Sequence, residues 1–178
     1  MAYGDSSVER IIISAILPVI VSRAIYLVNE DDAQKWLGTM KNIPEWANAK
    51  DLFNVAWITT LAASGVAAAL VFNASAGMKG ETATKNPALV AYGGQLALCW
   101  TYVIVIYALK NLDLGLAVIL LANAVSLLAT VAMYKTSAVA ALLNAPIVLW
   151  LLLLTSLVLR CRTAMAAAVV GDKMAIVE

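Results

Sequence analysis

The sequence predicts an all-α membrane protein, a five-transmembrane-helix bundle with a long loop between helices 1 and 2. Three observations carry that expectation. First, 63% of the 178 residues are hydrophobic and only 13% are charged, with a mean hydropathy of +0.88. A soluble domain of this length cannot hide so much apolar surface, so its solvent is lipid. Second, the apolar residues fall into five stretches, each near the roughly 20 residues that a helix needs to cross a bilayer. Third, the last three stretches are joined by turns of only a few residues, which makes them antiparallel neighbours. A much longer polar connection separates the first two.

The first span is read over residues 11–28, behind a short polar leader. It is apolar apart from Ser14, Ser22 and Arg23, and Pro18 lies at its middle. Asp5 and Glu9 precede it beside a single Arg10, and no small-residue cleavage pattern follows. These features favour a retained span over a secretory signal. Arg23 is near enough to the end of the span for its stem to snorkel to the interface. Residues 29–50 form the long connection. It holds Trp36, Pro44 and Trp46, so it reads either as a lid over a site or as an interfacial aromatic belt.

The second span, residues 51–72, opens at Asp51, a candidate N-cap, and is built of small residues from Ala62 to Ala68 around Ser64 and Gly65. Trp57 is its one large ring. After a polar loop, Asn86-Pro87 reads as a cap followed by proline at the first helical position. That opens the third span, residues 87–109. The fourth runs over 114–133 and the fifth over 137–160, leaving residues 163–178 as a tail of mixed character. The long loop, the third turn and the tail carry Lys35, Lys41, Lys50, Lys110, Arg160, Arg162 and Lys173. The opposite side has Arg10, Lys79, Lys85 and Lys135. The excess predicts that the long loop and the C-terminus are cytosolic.

Span three carries the most chemistry. AYGGQLALCWTYVIVIY, residues 91–107, sets Gln95, Cys99 and four aromatic rings in a segment apolar enough for lipid. A polar amide there must find a partner inside the protein. Gly93 and Ala97 have the small-xxx-small spacing that lets helices approach, within the bundle or in a homodimer.

These landmarks resemble the TspO/MBR (translocator protein) family, whose third span reads roughly L-Y-x-x-Q-L-x-L-N-x-x-W. Tyr92, Gln95, Leu96 and Leu98 are in place, Cys99 stands for the Asn, and Tyr102 for the Trp. Trp100 matches an additional Trp of animal members. Ala140-Ala141, Pro146, Trp150, Thr155 and Leu157 fit the pattern of span five, and Thr130 that of span four. Trp36, Met40, Lys41, Pro44 and Trp46 resemble the loop motif with one residue inserted. Phe53 and Trp57 match F-x-x-x-W, and Pro18 falls where animal members place a proline. The likeness runs over roughly residues 11–162. Departures include Ala47-Asn48 for a Pro-Pro pair, Val118 for an Asp, Val158 for an Asn, and Leu154 for a small residue that family ligands contact.

The resemblance implies an integral membrane protein of the ligand-binding or translocator type. Its guests would be flat and hydrophobic, such as porphyrins, haem or sterols, held between the helices under the first loop. The residues assigned to that pocket are Trp36, Trp46, Trp57, Gln95, Cys99, Trp100, Tyr102, Trp150, Leu154 and Leu157, with Arg23 as an added polar contact. The family also implies the mitochondrial outer membrane for a eukaryotic chain, or the cell envelope for a bacterial one. No cofactor is obligatory on this reading, and porphyrin or haem enters as a ligand.

Composition narrows the other classes. The chain has no His, a net charge of +1, no nucleophile–base pair and no metal-ligand spacing, so catalysis, metal binding and nucleic-acid binding are not supported. Two alternatives keep the fold. One is a structural subunit of a larger membrane complex that has lost the pocket, as Leu154, Val118 and Val158 suggest. The other is a light-dependent porphyrin-degrading enzyme using pocket tryptophans.

Overall fold

A computed structural model describes residues 2–39, 50–76 and 86–175. Those residues form α1 (Ala2–Val28), α2 (Glu30–Leu37), α3 (Lys50–Ala76), α4 (Pro87–Tyr107), α5 (Leu112–Thr136) and α6 (Ala138–Ala175). All but α2 are long and apolar enough to cross a membrane, and there is no strand among the described residues. The helices close into a ring. α4 packs on α5, α5 on α6, α6 on α3 and α3 on α1, and α1 completes the circuit against α4. Short α2 leans on α4.

Local chemistry accounts for the helix ends. Asn86 is extended, and its side-chain oxygen accepts from the Ala88 N–H at 2.9 Å, with Pro87 in the first turn. Its amide nitrogen reaches back to Ser75 Oγ at 2.8 Å, fastening the end of α3 to the start of α4. Asn111 caps α5 through Leu114 N–H at 2.9 Å. Lys110 in the same turn takes φ of 52°, a left-handed conformation that costs a residue with a Cβ. Two boundaries differ from expectation. α3 is already helical at Lys50, so Asp51 sits inside its first turn and not at its cap. α6 does not stop at residue 160 but continues as helix to Ala175, since residues 161–170 contain neither Gly nor Pro.

α1 and α3 meet at one close crossing. A Cβ on Gly65 would lie 1.9 Å from the Ser14 carbonyl oxygen, so only glycine fits there. The cause lies four residues along α1. Pro18 has no N–H, which leaves the Ser14 carbonyl without its usual intrahelical donor. Gly65 leaves room for that freed oxygen. Beyond the crossing α1 is the least enclosed helix, and Ile12, Ile13, Ile16, Leu17 and Ile20 all face outward. In a membrane those side chains belong against acyl chains.

The bundle interior is layered. One apolar cluster gathers Leu61, Cys99, Tyr102, Ile119, Ile147, Trp150, Leu151 and Leu154. A second, of smaller residues, gathers Ala67, Val71, Ala88, Met133 and Ala140. Along every contributing helix the boundary between them is a polar residue. Ser64, Gln95, Ser126 and Asn144 are completely buried there.

Candidate functional site

Gln95 occupies the centre of that polar layer. Its amide nitrogen donates to Ser64 Oγ at 2.8 Å and to Asn144 Oδ1 at 3.3 Å, and its carbonyl accepts from Asn144 Nδ2 at 3.2 Å. Ser64 Oγ donates to Asn144 Oδ1 at 2.5 Å, and Asn144 Nδ2 also donates to Thr130 Oγ1 at 2.9 Å. Four helices, α3 to α6, are thereby tied at one depth. In lipid such groups have no water to turn to, so the network fixes helix rotation as well as adding stability. Gln95 was expected to face a guest. Its hydrogen bonds are satisfied by its neighbours, and it is not among the residues lining a cleft between α1, α3 and α4.

That cleft lies elsewhere among the described residues, where α1 closes the ring between α3 and α4. This half-open cleft is lined from α1 by Val19, Ser22, Arg23 and Tyr26. α3 contributes Phe53, Asn54, Trp57 and Ile58, and α4 contributes Tyr102, Val103 and Tyr107. Each helix presents these residues at helical spacing, so one face of each meets the gap. The gap sits at the end of the bundle where α1 runs into the long connection.

Its walls are held by specific contacts. The Trp57 indole N–H donates to Ser22 Oγ at 2.6 Å, joining α3 to α1 across the cleft floor. The Tyr26 ring meets that of Tyr107 edge-on, with centroids 5.3 Å apart, joining α1 to α4 near the mouth. The Arg23 guanidinium lies over the Tyr26 ring, 5.0 Å from its centroid. Behind the wall, Phe53 meets Trp150 edge-on at 5.2 Å, so α6 supports the cleft without entering it. Edge-to-face pairs of this kind add specificity of position to their apolar burial.

Of the residues assigned from sequence, Arg23, Trp57 and Tyr102 come together at the cleft. The other described ones are not among its lining residues. Trp36 is half-buried on α2 and packs against the larger apolar cluster. Cys99, Trp150 and Leu154 are members of that cluster, the first and last with no exposure at all. Leu154 fills space between α6 and its neighbours. Trp100 is half-buried on α4 and Leu157 half-buried on α6. The indole nitrogens of Trp100 and Trp150 are buried without a hydrogen-bond partner. Trp46, Met40, Lys41 and Pro44 lie outside the described residues, as do Ala47 and Asn48. Gly93 and Ala97 turn away from the bundle, with nothing within 4 Å of a Cβ placed on Gly93.

Sequence reasoning passed over Tyr26, Asn54 and Tyr107 at the cleft and Asn144 in the polar layer. Asn144 did leave a signal. An amide between Leu143 and Ala145 is as anomalous in lipid as Gln95, and two buried amides satisfy one another well. The tyrosines left none, since a ring near a helix end is usual at any membrane interface.

Comparison with protein-family models matches residues 14–163 to the TspO/MBR family. No curated protein matches the chain significantly.

Proposed function

The chain belongs to the TspO/MBR family and is an integral membrane protein, and on that premise we propose that it binds flat, hydrophobic small molecules of the porphyrin or sterol kind. The cleft between α1, α3 and α4 receives them. The observation that carries this reading is the cleft's construction. Phe53, Trp57, Tyr102 and Tyr107 supply flat apolar surface, and a few polar groups stand among them, the usual make-up of a small-molecule site. Trp57 is positioned by Ser22 before any guest arrives, so its indole needs no rearrangement to serve as a wall.

The direct test is tryptophan quenching by protoporphyrin IX in nanodiscs. Saturable quenching at micromolar porphyrin supports the reading, and Trp57→Phe would remove a large share of it. Absence of quenching would overturn it. A second reading has its own observation: Leu154 is fully buried in a packed cluster, at a position where the resemblance implies a small residue. It makes the chain an accessory subunit of a larger membrane complex, and co-purification with that complex from native membrane would favour it. Self-association through the outward-facing Gly93–Ala97 stripe is a proposal compatible with both, checked by cross-linking Ala97→Cys.

A further inference from the structure

The charge pattern of the cleft narrows the class of guest, on the premise that the cleft is a binding site at all. Arg23 is the one charged residue among the described residues lining it, and no carboxylate joins it there. Its neighbours one turn away along α1 are Val19, Ile20, Tyr26 and Leu27, none of them acidic. The facing residues of α3 and α4 are aromatic, aliphatic or amide. The guanidinium is nevertheless not adrift, because it rests on the Tyr26 ring, which is itself braced by Tyr107. Trp57 and Ser22 are satisfied by each other and make no demand on a guest. The result is a flat apolar slot with a single cation beside its mouth and no carboxylate among the described residues that line it.

Depth gives the slot a direction. Arg23 is five residues before the end of α1, close to the interface, whereas Val19 lies about one turn, or about 6 Å, deeper. A guest with its ring system against Trp57 and Tyr102 would bring an acidic edge to the level of Arg23. A guanidinium prefers a planar, two-oxygen acceptor. We infer that the cleft selects flat hydrophobic molecules carrying a carboxylate at one edge over neutral molecules of the same shape, and that Arg23 is the residue that sets this preference.

The test compares protoporphyrin IX with its dimethyl ester, which keeps the ring system and removes both charges. Apparent Kd for each is measured by tryptophan quenching in phosphatidylcholine nanodiscs, for the full chain and for Arg23→Gln and Arg23→Lys. Arg23 is exposed, so neither substitution disturbs the packed interior. The wild-type chain is expected to prefer the acid, and Arg23→Gln to shrink the acid-to-ester ratio by about tenfold, the worth of one charge-assisted hydrogen bond. Arg23→Lys retains the charge but not the fork and should keep part of the preference. Comparing ratios between variants cancels the ester's greater partition into lipid. An unchanged ratio in Arg23→Gln overturns the inference and leaves Arg23 as a residue that only meets lipid headgroups. Failure of both compounds to quench is a different outcome. It removes the binding reading itself, and this inference with it.

Discussion

The two ends of the first span's neighbourhood handle polarity in opposite ways. In the layer around Gln95, the side chains of Ser64, Gln95, Thr130 and Asn144 answer one another across four helices, while the Ser126 hydroxyl is buried there without a hydrogen-bond partner. In the cleft, Arg23 and Asn54 stand at the edge of a gap, and the bonds that do form serve to position the walls. The first region is built to keep helices from turning. The second is built to present a surface. A polar residue in a membrane helix is therefore not by itself a site marker, and what separates the two cases is whether its partners already exist inside the chain.

The contrast can be broken at several points. The largest effect is expected from Gly65→Ala, which sets a Cβ against the Ser14 carbonyl and must push α1 off α3. We expect a loss of about 3 kcal/mol of stability, and loss of porphyrin quenching as the cleft wall moves, read from thermal unfolding in detergent and the quenching assay. Next is Asn144→Ala, which leaves Gln95, Ser64 and Thr130 short of partners in the dry interior. It should cost about 2 kcal/mol, with little change in the affinity of the remaining folded protein. A marked fall in affinity instead would mean that the polar layer belongs to the site. Pairing it with Gln95→Leu sharpens the point, because the double variant should cost less than the sum of the two single ones.

Trp57→Phe comes third. Losing one hydrogen bond to Ser22 should cost about 1 kcal/mol in stability, with a larger proportional effect on ligand affinity than on unfolding. Smallest is Arg162→Ala. It removes the ion pair with Asp113 between α6 and α5, but both partners are well exposed, so the change should stay below about 0.5 kcal/mol.

Much of the bundle is legible in the residues, and the reasons are specific. Apolar length and the short turns at Lys110 and Lys135 dictate five spans and the pairing of the last three. Asn86-Pro87 announces its own helix start. The need of Gln95 for a buried partner was equally plain, but not the partner's identity. Asn144 lies 49 positions away, and only the relative rotation and depth of α4 and α6 bring the two amides together. The cleft was harder still. Its walls depend on how α1 stands against α3 and α4, and the close contact of α1 with α3 is made by Ser14 and Gly65, at a crossing remote from the rings. Leu154 could be seen to be large, while its full burial depended on how closely α6 sits against its neighbours.

The same crossing has a mechanical corollary. With α1 in backbone contact at Ser14, Arg23 rides nine residues further on, about 13 Å along the axis at helical rise, on a stretch that only Ser22 and Tyr26 are seen to tie to α3 and α4 by a hydrogen bond or ring contact. A swing of roughly 5° would carry the guanidinium about 1 Å, comparable to the difference between a formed and a broken hydrogen bond. Bilayer thickness and lateral pressure, which act on exposed helices first, thus have a lever on the slot that they lack on the tightly bonded interior.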